Sequence, residues 1–157
     1  MPAQTLVKLS TVEVPLDRVW AFISTPVHLQ QWWQANSLRL EMRSGGAYFQ
    51  TGAIKGVPYC YTGAVITVQP PQKLIFSLRM ELPVTWPPDV YSQVSITLHP
   101  RVGYTNHADT TLVTLEHSGF DALPPEYQCL TCNFEPIWAA IMLRLAEAIA
   151  ASETSES

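Results

Sequence analysis

The sequence has few charged residues. Charged side chains make up only 14% of its 157 residues, well below the quarter or so that is typical of globular domains. Its 9 Lys and Arg residues against 13 Asp and Glu residues give a net charge of −4, and the basic residues form no cluster. Because nucleic acids and anionic membranes are bound by several cations on one face, both classes of partner are disfavoured.

The sequence also has little cysteine and no long apolar run. Three cysteines are an odd number and do not make a disulfide framework, so reduced thiols are expected. No stretch reaches eighteen continuous apolar residues, and the N-terminus lacks the charged and apolar regions of a secretory signal. These absences predict a cytoplasmic protein without membrane insertion.

What the sequence has in quantity is apolar surface. Apolar residues make up 47% of the chain, which indicates a generous core or an apolar cavity. The length is that of one domain, which we expect over residues 1–151. The remaining segment, residues 152–157, is polar and acidic and is predicted to be a disordered tail.

The predicted elements begin with one strand and two short helices. The strand covers Leu6–Val14 and ends at Pro15. Apolar residues then recur at the spacing of one helical stripe: Leu16, Val19, Trp20 and Ile23. A second short helix is expected from Thr25, a capping residue, through Pro26 to Trp32-Trp33.

From residue 37 to residue 117 the pattern alternates with period two and is broken by turn residues. The predicted turns are Ser44-Gly45-Gly46, Lys55-Gly56, Pro70-Pro71, Trp86-Pro87-Pro88 and Arg101-Val102-Gly103. They delimit six strands. Alternate residues of a strand point to opposite faces of the sheet, and on four strands one face is clearly apolar. We call this core-facing side the dry face, and its residues are Leu38, Leu40 and Met42; Leu74, Phe76, Leu78 and Met80; Val94, Ile96 and Leu98; Val113, Leu115 and His117. In the strand from Tyr59 to Val68 both faces carry apolar residues, so the inward side stays open.

The last element is an amphipathic helix. Its apolar face is wide and needs a partner: Ile137, Trp138, Ile141, Met142, Leu145, Ala148 and Ile149. Pro136 either opens this helix or kinks a longer one that begins near Pro125, and we favour the kinked helix. Seven strands with one covering helix predict an α+β helix-grip fold, in which a curved seven-stranded antiparallel sheet wraps around the C-terminal helix.

Ordered short motifs along nearly the whole chain, from Val7 to Ala150, resemble a known family. They are Val14-Pro15-Leu16-Asp17-Arg18-Val19-Trp20, Thr25-Pro26, Trp32-Trp33, Gly45-Gly46-Ala47-Tyr48-Phe49, Gly63-Ala64-Val65, Pro70-Pro71-Gln72-Lys73-Leu74-Ile75-Phe76, Val94-Ser95-Ile96-Thr97-Leu98, His117-Ser118-Gly119-Phe120, Trp138 and Leu145. The chain is similar to the activator of heat-shock protein 90 ATPase homologue-like group of the START-like (SRPBCC, birch-pollen-allergen-like) superfamily.

This resemblance implies the helix-grip fold and a cavity for a hydrophobic ligand, but no fixed catalytic residues. The ligand would be aromatic, lipid-like or polyketide-like. Stress-related chaperone-cofactor activity is an alternative, although the sequence elements used by the chaperone-activating members are not found here. A homodimer stays open, and no cofactor is expected. The chain departs from the family pattern at Pro136 and in the proline-rich loop from Pro83 to Asp89.

The strand and helix patterns converge on one candidate pocket between the sheet and the C-terminal helix. Its predicted lining is Phe49, Phe76, Leu78, Ile96, Leu115, His117, Trp138 and Met142, with Trp33 and Trp86 near the mouth. The same residues would also serve as plain core. In a pocket, their aromatic walls favour a flat apolar ligand.

His117 is the one ionisable side chain predicted on the inner face. As a weak catalytic candidate it would move a proton in a cyclase- or hydratase-like enzyme, with Tyr59, Tyr61 or Tyr91 as a second group. No carboxylate alternates onto the dry faces. A neutral histidine whose hydrogen bonds are satisfied by the backbone is the simpler interpretation.

Two further features have alternatives of their own. Cys129 and Cys132 have the C-x-x-C spacing of thiol redox and zinc sites, but only one such pair occurs, so we expect two small apolar residues on a helix and no metal. Trp86 is either an exposed anchor for a partner, a gate of the cavity, or a plug folded back into it.

Overall fold

The computed structural model of the protein describes residues 5–33, 37–82, 84–102, 109–124 and 134–155. Seven antiparallel strands form one sheet in the order β1-β7-β6-β5-β4-β3-β2. The strands are β1 (Leu6–Val12), β2 (Ser37–Leu40), β3 (Ala47–Ile54), β4 (Val57–Gln69), β5 (Lys73–Leu82), β6 (Ser92–Val102) and β7 (Asp109–Ser118). Helices α1 (Leu16–Ser24) and α2 (Pro26–Trp32) follow β1, a 3-10 turn covers Phe120–Ala122, and helix α3 (Phe134–Ser155) follows. The predicted α+β helix-grip fold is confirmed.

The strands form where the alternating pattern predicts them. On the central strands the predicted dry-face residues are at most 2% exposed: Leu74, Phe76, Leu78, Met80, Val94, Ile96, Leu98, Val113, Leu115 and His117. The hairpin between β3 and β4 turns at Lys55-Gly56, where both residues have positive φ, as the twist of a two-residue hairpin requires. In β4 the open question of orientation is answered, because Tyr59 and Tyr61 are 5% and 1% exposed and therefore face inward.

Within the described residues helix α3 runs from Phe134 to Ser155, and Pro136 is its third residue. The predicted longer helix would begin in residues 125–133, which lie outside the described residues. At the other end, α3 runs past the expected boundary at Ala151 to Ser155. Ser152 is bonded into this last part, since its hydroxyl donates to the Ile149 carbonyl at 2.8 Å.

The apolar stripe of α3 faces the sheet, and the layer between them has two halves. One end is aliphatic: Leu74, Ile96, Leu98, Val113 and Leu115 on the strands, and Ile141, Leu145 and Ile149 on the helix. The other end is aromatic and polar, with Phe134 and Trp138 of α3 against His117 of β7. An exposed ion pair between Lys8 of β1 and Glu135 of α3, at 3.0 Å, joins the helix to the sheet edge at this end.

Candidate functional site: a buried aromatic cluster

The aromatic end of the layer contains an unusual number of rings with polar tips. We call it the aromatic cluster, and it is defined by Trp33, Tyr48, Gln50, Tyr59, Tyr61, Phe76, Trp86, Ser92, His117, Phe120, Phe134 and Trp138. All twelve side chains are at most 5% exposed. They come from five strands, the end of α2, two loops and α3, so only the tertiary fold brings them together.

His117 lies at the centre of a hydrogen-bond chain. The Trp138 indole donates from Nε1 to His117 Nδ1 at 2.9 Å. Because Nδ1 accepts, the proton of the neutral ring is on Nε2, which lies 2.6 Å from Ser92 Oγ. The Ser92 hydroxyl can then donate to the Leu78 carbonyl at 3.2 Å. Every polar atom of His117 is therefore satisfied inside the protein.

This arrangement holds His117 uncharged. Burial lowers the pKa of the imidazole to about 3, because the charged form would lose its hydration. Both ring nitrogens are already occupied, and the described residues place no carboxylate on the inner face of the sheet. The catalytic alternative therefore gains no support from the geometry, whereas the neutral-histidine interpretation does. The expectation that backbone groups satisfy the ring is wrong, because its partners are the side chains of Trp138 and Ser92.

A second hydrogen-bond network is centred on Gln50 of β3. Its side-chain oxygen accepts from Trp33 Nε1 at 2.9 Å and from the Tyr48 hydroxyl at 2.8 Å. Its side-chain nitrogen donates to the Tyr59 hydroxyl at 3.0 Å. Tyr59 in turn stacks on Tyr61, with ring centroids 4.7 Å apart. Gln50 thus fixes the positions of three aromatic side chains at the β3 and β4 side of the cluster.

The tyrosines of this network stay protonated at any physiological pH. Burial raises the pKa of Tyr48, and the neighbouring phenols of Tyr61 and Tyr59 raise it further. Burial also raises the pKa of Tyr61 and of Tyr59, although the hydrogen bond from Gln50 opposes it at Tyr59. These phenols can donate or accept hydrogen bonds, but they are poor proton donors in acid–base chemistry.

Trp86 closes the end of the cluster. Its side chain is 1% exposed and its ring meets Phe134 edge-on, with centroids 6.2 Å apart and planes at 73°. The indole is therefore folded back into the layer as a plug. Of the alternatives left open for Trp86, the plug is therefore the one that the structure shows, and the exposed anchor is wrong because the loop turns this ring into the core.

The structure brings together most of the predicted pocket residues. Those at most 5% exposed on the inner side are Trp33, Phe76, Leu78, Trp86, Ile96, Leu115, His117, Trp138 and Met142. Phe49 is the exception. It is 37% exposed and alternates with buried Tyr48 and Gln50, so the register of β3 points it to the outer face. Tyr91 is 45% exposed and likewise does not face the cluster.

Several cluster members were missed from the sequence. Gln50 and Ser92 were overlooked because polar residues are rarely assigned to a dry face, although Gln50 shares the inward phase of Tyr48. Phe134 lies four residues before Trp138, the spacing at which two side chains share a helix face, and that signal could have identified it.

The metal and redox alternatives depend on groups of metal-ligating side chains and on the pair Cys129 and Cys132. Within the described part of the chain, no three His, Cys, Asp or Glu side chains are grouped so as to hold a metal ion. Cys129 and Cys132 lie outside the described residues. The same described residues include no helix with the length and apolar character needed to cross a membrane.

A groove of about 410 Å³ lies at the opposite end of the molecule. It runs between the end of β1 and the last turns of α3, and its lining is Thr11, Val12, Glu13, Val14, Ala146, Ile149 and Ala150. None of these residues belongs to the predicted pocket. The groove is therefore a feature separate from the aromatic cluster.

Solved structures share this fold at low sequence identity. Protein MLL2253 from Mesorhizobium loti has a TM-score of 0.71 and 19% identity, over 94% of this chain and 98% of that one. DynU16, from the dynemicin biosynthetic locus, has a TM-score of 0.69 and 22% identity over 96% of this chain, which spans only 49% of DynU16. CalU16 from Micromonospora echinospora has a TM-score of 0.64 and 20% identity, over 96% of this chain and 79% of that one.

Identities of this size establish the common fold and no more. No curated protein matches the chain in sequence. The sequence profile described as Activator of Hsp90 ATPase homolog 1-like protein does match it, over residues 13–150, which include all the elements from α1 through most of α3. The chain therefore belongs to the Activator of Hsp90 ATPase homolog 1-like protein family.

Proposed function

We propose that this protein binds a small hydrophobic molecule, aromatic, lipid-like or polyketide-like, between the concave face of the sheet and α3. The observation that carries the proposal is the division of the buried layer into an aliphatic half and the aromatic cluster. A core that only packs is well served by aliphatic side chains, as at the Leu98 end. Indole, phenol, imidazole and amide groups add hydrogen-bonding atoms whose burial costs free energy unless each is paired.

Membership of the family supports the same proposal, and so does the origin of DynU16 in the dynemicin biosynthetic locus. Flat ligands would gain contact with ring faces and edges that the cluster already holds in fixed positions. Chaperone-cofactor activity remains an alternative of the family, but the one surface anchor expected for it, Trp86, is buried.

Displacement of the apolar dye N-phenyl-1-naphthylamine tests the proposal. We expect saturable binding at one site per chain, displaced by flat aromatic compounds or fatty acids. Two matched variants locate the site. Leu78 pairs with Ser92 of the aromatic cluster across β5 and β6, whereas Leu98 pairs with Val113 at the aliphatic end. The variants are Leu78→Val and Leu98→Val, at residues that are 0% and 1% exposed. Each removes one methylene and should cost about 1 kcal/mol of stability.

Only Leu78→Val should weaken dye binding, by about threefold or more, while Leu98→Val should leave the affinity within twofold. Absence of saturable binding for every apolar compound would exclude the proposed function. Equal effects of the two variants would exclude the aromatic cluster as its site.

A further inference from the structure

The Trp86 indole differs in its hydrogen bonding from Trp32, Trp33 and Trp138, which are buried in the same core. Trp32 donates to the Phe22 carbonyl at 2.8 Å, Trp33 donates to Gln50, and Trp138 donates to His117. Trp86 Nε1 is buried as they are, but the described residues offer it no acceptor. A buried donor without a partner is rare in proteins and calls for a specific explanation.

The Trp86 ring lies next to aromatic side chains of the cluster. Phe134 meets the Trp86 ring edge-on, and Phe134 in turn contacts Tyr61 with ring centroids 5.3 Å apart and His117 at 4.5 Å. In such a place a hydrogen bond is strengthened by the low local dielectric. An acceptor atom of a ligand at this place would form such a hydrogen bond with Trp86 Nε1. The bond would also remove the free-energy cost of leaving this buried donor unpaired.

The loop around Trp86 is built to hold the indole in one position. The Trp86 amide donates to the Met80 carbonyl at 3.0 Å, and the Thr85 hydroxyl donates to the Glu81 carbonyl at 2.9 Å. The Arg79 guanidinium donates to the carbonyls of both Trp86 and Pro87. The donor is thus pre-positioned, which reduces the entropy lost when a ligand binds to it.

The same loop has an outer side that faces water. Five of the eight residues 84–91 are exposed, and Asp89 has a φ of 64°, a conformation that few residues other than glycine adopt. Residues 88–91 lie beyond the two carbonyls that Arg79 holds, so an outward movement of these residues leaves the Trp86 backbone anchored while it admits a flat molecule edge-on beside the indole.

From these observations we infer that Trp86 is the hydrogen-bond donor of the binding site. The ligand it selects is a flat aromatic molecule that carries an acceptor oxygen, such as an aryl ketone or a quinone, in preference to a plain hydrocarbon. The inference rests on the proposed function and narrows its ligand class.

The test compares two tricyclic molecules, 9-fluorenone and fluorene, which differ in one carbonyl oxygen. Their dissociation constants are measured by displacement of the same dye from the wild type and from Trp86→Phe, which keeps an aromatic ring and removes the N–H. Trp20→Phe is the matched control, because it makes the same chemical change on α1, outside the aromatic cluster.

We expect the ratio of the fluorene constant to the fluorenone constant to fall by about 3- to 10-fold in Trp86→Phe and to stay unchanged in Trp20→Phe. Comparing ratios cancels the different hydrophobicity of the two ligands. If both ligands bind and the ratio is the same in all three proteins, Trp86 is not the donor, while the proposed function stands. If no apolar compound binds the wild type, the proposed function fails and this inference falls with it.

A measurement on the wild type covers the case in which Trp86→Phe does not fold. In a nuclear magnetic resonance spectrum of the indole N–H groups, the Trp86 signal is assigned through its through-bond connection to the Trp86 backbone. We expect fluorenone to move the Trp86 proton downfield, as a new hydrogen bond does, and fluorene not to do so. A shift of equal size and direction with both ligands would overturn the inference.

Discussion

Acidification should destabilise this protein through His117, and the size of the effect can be worked out from the structure. In the folded protein burial lowers the pKa of this histidine to about 3, whereas an unfolded chain has the ordinary value near 6.5. Between these values the unfolded state binds a proton and the folded state does not. The stability contributed by the neutral histidine is thus fully present above pH 6.5 and is lost as the pH falls toward 3.

The loss approaches about 1.4 kcal/mol per pH unit below pH 6.5, which amounts to roughly 2–3 kcal/mol between pH 7.5 and pH 4.5. Urea unfolding of the wild type and of His117→Gln over this interval measures it. The glutamine side chain can still accept a hydrogen bond from Trp138 and donate one to Ser92, but it does not titrate. All other titratable groups are the same in the two proteins, so their contributions cancel in the comparison. The stability difference between the two proteins should shrink by roughly 2–3 kcal/mol. A difference that does not change with pH would refute the buried neutral histidine.

Three other predictions follow from particular contacts. In Gly52→Ala the new Cβ would lie 2.5 Å from the Tyr59 hydroxyl, so urea unfolding should show a loss of about 1–3 kcal/mol; unchanged stability would mean that the phenol does not cover this glycine. Phe49→Thr should change stability by less than about 0.5 kcal/mol and leave dye binding intact, and weaker binding would contradict its outward orientation. Arg79→Met should raise hydrogen exchange in residues 84–91 by about tenfold or more, because two charge-assisted bonds to the loop carbonyls are lost; unaltered exchange would show that the guanidinium does not hold the loop.

The fold was predictable from the sequence because most of its elements have a strong hydrophobic period. The alternation on β5, β6 and β7 fixed which residues face inward, and the wide apolar stripe of α3 required a covering partner. Phe49 shows where this reasoning fails. Its strand carries aromatic residues in both phases, at Tyr48 and Phe49, so period alone could not choose a face and only the pairing of β3 with its neighbours did.

The site was predictable only in its apolar part. The hydrophobic period predicts that Phe76, Leu78 and Trp138 face inward. Gln50 and Ser92 are polar, and their burial is tolerated only because residues from distant segments of the chain form hydrogen bonds with them. Ser92 meets His117 across 25 positions of the chain. No local pattern encodes such a pairing, because it depends on the order and register of the strands.

The sequence by itself determined the seven strands, the two short helices after the first strand, the amphipathic terminal helix and the family. Those properties depend on residue spacing within single elements, which the chain carries locally. The tertiary structure alone decided that His117 is neutral and fully bonded, that Trp86 folds inward, and that its N–H lacks an acceptor in the described residues. Each of these depends on atoms that come together only when the sheet and α3 are packed, since hydrogen bonding and desolvation act over a few ångströms of space, whatever the separation along the chain.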